Sequence, residues 1–195
     1  MSTLRTPCLL LLFVFLAAPG RAVDGSYANQ QALADFMDHV NYYAAVQRMV
    51  VASLGPPLMW SDGEQILRQQ RRYANAMREA RPGAREGGFF TPAISRYFRD
   101  RIDAIVQETG FDVMTAFEAP DPDEVVIMAV PRAAEAVPWN AGPVMWPSML
   151  AGLPQLPPEL EYRFLGRHLI LVDVLANVVV DVLYDALPGP DVSSS

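Results

Sequence analysis

A carboxylate one helical turn from an imidazole is the first arrangement in this sequence that could do chemistry. Asp35 and His39 are four residues apart, with Asp38 and Tyr42 close by. On a helix that spacing puts acid and ring on one face, where the acid could orient a general base or a metal ligand. It equally describes an ordinary exposed pair. A longer series follows near the C-terminus, where Asp173, Asn177, Asp181 and Asp185 recur every four residues. If residues 174–187 form a helix, these groups line one side of it, and the carboxylates repel unless a cation or arginines neutralise them. Arg68, Arg71, Arg72 and Arg78 are the simplest neutralisers. Together with His39 and Asp35, these residues are the candidate functional surface. The other imidazole, His168, has no neighbour that singles it out.

Other chemistries find less support. Asp121-Pro122-Asp123-Glu124 offers oxygen ligands for Ca²⁺, but without the D-x-D-x-D-G spacing and distant glutamate of a calcium loop. There is no H-E-x-x-H, so no metal site is expected. There is no G-x-S-x-G elbow, G-x-G-x-x-G or Walker sequence, so neither an activated serine nor a nucleotide cofactor is expected. All 15 basic residues are arginine, so Schiff-base and lysine general-base chemistry are excluded. A carboxylate-based hydrolase needs only two suitably spaced acids, such as Asp173 and Asp181, and stays open on those terms.

The elements that must position these groups begin after a leader. Arg5, the apolar run Cys8–Ala18 and Pro19-Gly20 before Arg21-Ala22 have the form of a secretory signal peptide, with cleavage expected after Ala22. The apolar run would rise only about 16 Å as a helix, too short to span a bilayer. A first helix is expected from Asn29 to about Leu54, where Leu33, Phe36, Met37, Val40, Tyr43 and Ala44 recur at three- and four-residue steps. Gln47 interrupts that stripe, and Val50, Val51 and Leu54 resume it. Ser61-Asp-Gly-Glu64 reads as a capping box for a second helix to about Arg81, with Ile66, Leu67, Ala74 and Met77 apolar. Thr91-Pro92 opens a third, running to about Thr109 and stopped by Gly110.

Nine prolines between Pro120 and Pro158 then rule out a long helix. A short helix over 112–118 and a brief strand over 125–130 are expected, the remainder of 119–158 lying extended over the helices. Leu160, Tyr162 and Phe164 alternate with charged residues as a strand, Leu165-Gly166-Arg167 turns, and 168–173 returns. For 174–187 a terminal helix is expected, with a third strand as the alternative because of Val178-Val179-Val180.

Removing residues 1–22 leaves 13 arginines against 22 acids, a formal charge of −9, and no cysteine. Disulfides, zinc–thiolate sites and cysteine nucleophiles are thereby excluded. The negative charge argues against nucleic acid and against docking on anionic lipid. It is uneven: residues 64–101 carry a net +5 and residues 102–195 a net −11.

The segments Phe89-Phe90-Thr91-Pro92 and Leu153-Pro-Gln-Leu-Pro-Pro-Glu-Leu-Glu-Tyr-Arg-Phe-Leu-Gly-Arg167, with Asp173, Ala176-Asn177 and Asp181, resemble a family of exported bacterial proteins. The resemblance covers most of the mature chain and implies export and a bacterial source. It brings no known activity, ligand or partner. The expectation is an α+β, predominantly helical domain over 23–190, of about four helices plus a C-terminal β-hairpin, with a disordered tail over 191–195. The preferred function is a non-enzymatic interaction or structural module, periplasmic or secreted. It would have no cofactor and no membrane anchor after cleavage, and its partner would be a protein or a second copy of itself. The alternative is a carboxylate-based hydrolase acting on an envelope polymer or carbohydrate.

Overall fold

The computed structural model describes residues 20–57, 62–83, 85–111, 131–137 and 145–188. The expected signal peptide up to residue 19, the short helix over 112–118, the strand over 125–130, the acidic loop over 121–124 and the tail lie outside them.

Helix α1, Gly20–Leu54, buries Ala32, Phe36, Val40, Tyr43, Ala44 and Val50 along one side. It begins nine residues before Asn29, there being no proline between Gly20 and that point. Gln47 stands on the buried side too, only 5% exposed. Gly55, at φ 86°, ends the helix and donates its N–H to the Val51 carbonyl.

Helix α2, Gly63–Ala80, is capped by Asp62, whose carboxylate accepts from the Gln65 N–H at 2.8 Å. The cap is therefore one residue beyond the expected Ser61, and Gln65 Nε2 returns to the other Asp62 oxygen. This helix buries Tyr73, Ala74 and Met77, whereas Ile66 and Leu67, read as apolar positions of the same helix, are 44% and 53% exposed. Helix α3, Pro92–Thr109, follows Thr91 and buries Ile94, Phe98, Ile102 and Ile105. Gly110, at φ 63°, stops it as expected.

Within the proline-rich stretch stands a helix absent from the sequence expectation. Helix α4, Pro147–Gly152, carries proline at its first position, where no N–H is needed, and buries Met149 against α3.

Strands β1 (Leu160–Leu165), β2 (His168–Asp173) and β3 (Val178–Leu183) form an antiparallel sheet in the order β1-β2-β3. The expected hairpin is present, with Leu165 opposite His168 across the Gly166-Arg167 turn. The terminal helix is not. Residues 174–177 form a turn closed by Asn177 at φ 49°, and the valine run continues as β3. A third strand satisfies the outer edge of β2, which a helix there would leave unpaired. Among the described residues the fold is thus mostly helical α+β: four helices, then a C-terminal three-stranded antiparallel sheet.

The sheet's inner face, with Tyr162, Phe164, Leu169, Leu171 and Leu183, packs on the helices as the main core. A smaller cluster on the other face joins Leu165, Ile170, Val172, Val179 and Val182 to Val137. The backbone of 134–137 borders β3, Ala134 N–H donating to Val179 and Val137 N–H to Asn177.

Candidate functional site

Asp173 and Asp181 are both fully buried, at 0% exposure. Neither reaches its place by helical spacing. Asp173 ends β2 on the inner face, and its carboxylate accepts from the N–H groups of Leu175 and Ala176 at 2.9 and 2.7 Å, closing the β2–β3 turn. It also accepts from the Tyr43 hydroxyl and from Gln47 Nε2, each at 2.7 Å. The polar interruption in the α1 stripe is therefore the point where that helix meets a buried charge.

Asp181 owes its orientation to a bulge. Leu171 pairs with Asp181 and Val172 with Val179, so Val180 is an extra residue. Without it, alternation from the outward Val179 would turn Asp181 to the outer face. Turned inward, the carboxylate accepts from the N–H groups of Gly87, Phe89 and Phe90 at 2.7–2.8 Å, and from its neighbour Val182. The α2–α3 loop is thus wrapped around a side-chain anion.

The other two members of the series are elsewhere. Asn177 is half-buried in the turn, its amide 3.5 Å from the Val137 carbonyl. Asp185 is exposed beyond β3, 3.9 Å from Arg167 and 4.0 Å from His168. Its N–H donates to His168 Nδ1 at 3.0 Å. Burial lowers the His168 pKa, the Asp185 charge opposing and Arg167 assisting that shift. Among the described residues no α2 arginine pairs with the series: Arg68 bonds Glu64, Arg78 bonds Asn75, and Arg71 and Arg72 are exposed. Asp35 accepts from Gln31, and the exposed His39 sets its edge against the Phe89 ring.

Part of the candidate set does converge. Arg71, Arg78 and Asn177 line one groove of about 760 Å³ with Ile66 and Leu67. Arg78 also borders a smaller cavity of about 200 Å³, beside Tyr43, Arg81, Arg85 and Glu86. The Arg81 guanidinium lies 4.6 Å from the Tyr43 ring centre and 5.3 Å from that of Phe89. Sequence reasoning passed over Arg81, Arg85 and the role of Gln47. The available signals were a polar residue inside an apolar stripe and a lone aspartate inside a valine run.

Burial and the adjoining Asp173 charge push the Tyr43 pKa well above the ordinary phenol value. Burial does the same to Tyr162, whose hydroxyl has no partner among the described residues. Tyr184, whose hydroxyl donates to the Pro131 carbonyl at 3.1 Å, is pushed up to about 12, by burial and then by the nearby Glu86 carboxylate. Among the described residues no three His, Cys, Asp or Glu side chains gather as metal ligands. No described helix is long and apolar enough to cross a membrane. No family model, curated protein or solved structure matches this chain.

Proposed function

We propose that this chain is a non-enzymatic, exported binding module that docks an acidic protein partner against the outer side of α2. The observation that carries the reading is the groove itself, where exposed Ile66 and Leu67 adjoin Arg71 and Arg78. Apolar area ringed by arginine suits an interface that buries hydrophobic side chains at its centre and matches charge at its rim. The net +5 of residues 64–101 favours an acidic partner over a second copy of this acidic chain. The two buried aspartates support the same reading, because both carboxylates are engaged in holding turns and loops together.

The test is photocrosslinking from position 67 in the cells that make the protein, with position 103 as control. An adduct formed from position 67, and suppressed by the Arg71→Glu/Arg78→Glu double substitution, is the expected result. No adduct, or one indifferent to charge reversal, overturns the reading. Cleavage of an envelope polymer by the purified protein, lost in a folded Asp173→Asn variant, would establish the hydrolase instead.

A further inference from the structure

The cavity at the C-terminal end of α2 adjoins the docking groove, sharing Ala74, Arg78, Ala134 and Val178 with it, but has a different chemistry. Three arginines border it, Arg78, Arg81 and Arg85, against one acid, Glu86. Glu86 also lines a neighbouring cavity with Tyr184, whose hydroxyl donates to the Pro131 carbonyl. Among the described residues no carboxylate forms an ion pair with Arg81 or Arg85.

Arg81 is also held in place. Its backbone N–H donates to the Arg78 carbonyl at the end of α2. Its guanidinium lies against two rings set at 70° to each other, Tyr43 and Phe89. Each ring is anchored by a buried carboxylate: the Tyr43 hydroxyl bonds Asp173, and the Phe89 N–H bonds Asp181. A guanidinium held near aromatic rings by cation–π attraction still has N–H donors for a forked contact with an oxyanion. Fixing it beforehand reduces the ordering cost of binding. The last carbonyls of α2, the Glu86 charge and, behind the rings, the Asp173 and Asp181 carboxylates oppose an anion there; of these acids only Glu86 lines the cavity, against three arginines.

We infer that this cavity is a binding site for a small oxyanion, a carboxylate or a phosphate group, gripped by Arg81 and Arg85 over the Tyr43 ring. At about 200 Å³ it admits such a group and little more. Arg81 and Arg85 do not line the α2 groove, so substitutions at these two positions test this site apart from the docking of a partner.

Titration of the full chain with sodium phosphate, and separately with sodium succinate, tests the inference by calorimetry and thermal unfolding. Sodium chloride at matched ionic strength is the reference. Saturable binding, with a rise in Tm beyond that in chloride, is expected for at least one of the two. The one that binds more tightly identifies the phosphate or the carboxylate as the group recognised. Arg81→Met keeps an apolar stem against the rings and should weaken binding about ten-fold or more. Arg85→Gln, an exposed substitution that leaves the fold alone, should weaken it too. Shifts equal to those in chloride, or unchanged affinity in Arg85→Gln, would overturn the site even if Arg81→Met failed to fold.

Discussion

Aspartates at regular four-residue intervals in the sequence have unlike fates once folded. Asp181 is an internal ligand, its carboxylate standing where the Phe89 and Phe90 N–H groups would otherwise be buried without an acceptor, and taking the Gly87 N–H as well. Asp185 lies in solvent, 66% exposed at its side chain. Asp181→Asn turns an amide NH₂ toward those donors and should lower unfolding stability by about 3 kcal/mol or more. Asp185→Asn should change it by less than about 0.5 kcal/mol, because a long, exposed ion pair contributes little. Urea denaturation of both variants measures the contrast. Similar losses from the two would mean that the Asp181 contacts do not hold the loop. The same asymmetry separates the candidate arginines: Arg71 and Arg78 share a groove, while Arg68 pairs within its own helix.

At the level of elements, the decisive joints are those where a short segment meets a longer one. Helix α4 is only six residues long and too short to persist alone, so its packing on α3 must sustain it. A Cβ added at Gly152 would press into the Ile105 side chain, coming within 2.8 Å of Cγ1. Ile105 is 3% exposed and has little freedom to retreat. Gly152→Ala should therefore cost about 1–2 kcal/mol despite alanine's better helix propensity. Ile105→Val removes the obstructing methyl, and the double variant should recover part of the loss. Strict additivity in that double-mutant cycle would show the joint to be loose. The α1–sheet joint is polar instead, with Tyr43 and Gln47 both donating to Asp173.

For the molecule as a whole, alkali should be the sharpest stress. Burial raises Tyr43 and Tyr162 above the phenol value of 10, and raises Tyr184 to about 12. The folded protein thus keeps protons that the unfolded chain releases above about pH 10. The stability linked to these hydroxyls is complete below that pH and falls as pH rises through the folded-state values. Urea midpoints between pH 8 and pH 11 should decline accordingly. Tyr43→Phe should start lower, having lost a bond to Asp173, yet decline less steeply. An equal decline in both proteins would remove Tyr43 from that account.

Local patterns in the sequence determined much of this protein. The periodicity of α1, the Thr91-Pro92 start of α3, the glycine stops, the alternation of β1 and the hairpin turn each depend on interactions within a few residues, which composition and spacing record directly. The absence of lysine, and of cysteine beyond the expected leader, fixed which chemistries are closed. Tertiary structure alone decided the rest. Residues 174–187 fit a helix or a strand by local preference, and the unpaired edge of β2 selected the strand. Asp181 faces inward only because Val180 bulges, a matter of register that no single strand contains. Ile66 and Leu67 look like core but lie at a surface groove, because the side of α2 that packs inward is set by Tyr73, Ala74 and Met77. The bordering of Arg81 by Tyr43 and Phe89 joins parts of the chain far apart in sequence, through two carboxylates whose spacing had suggested something else.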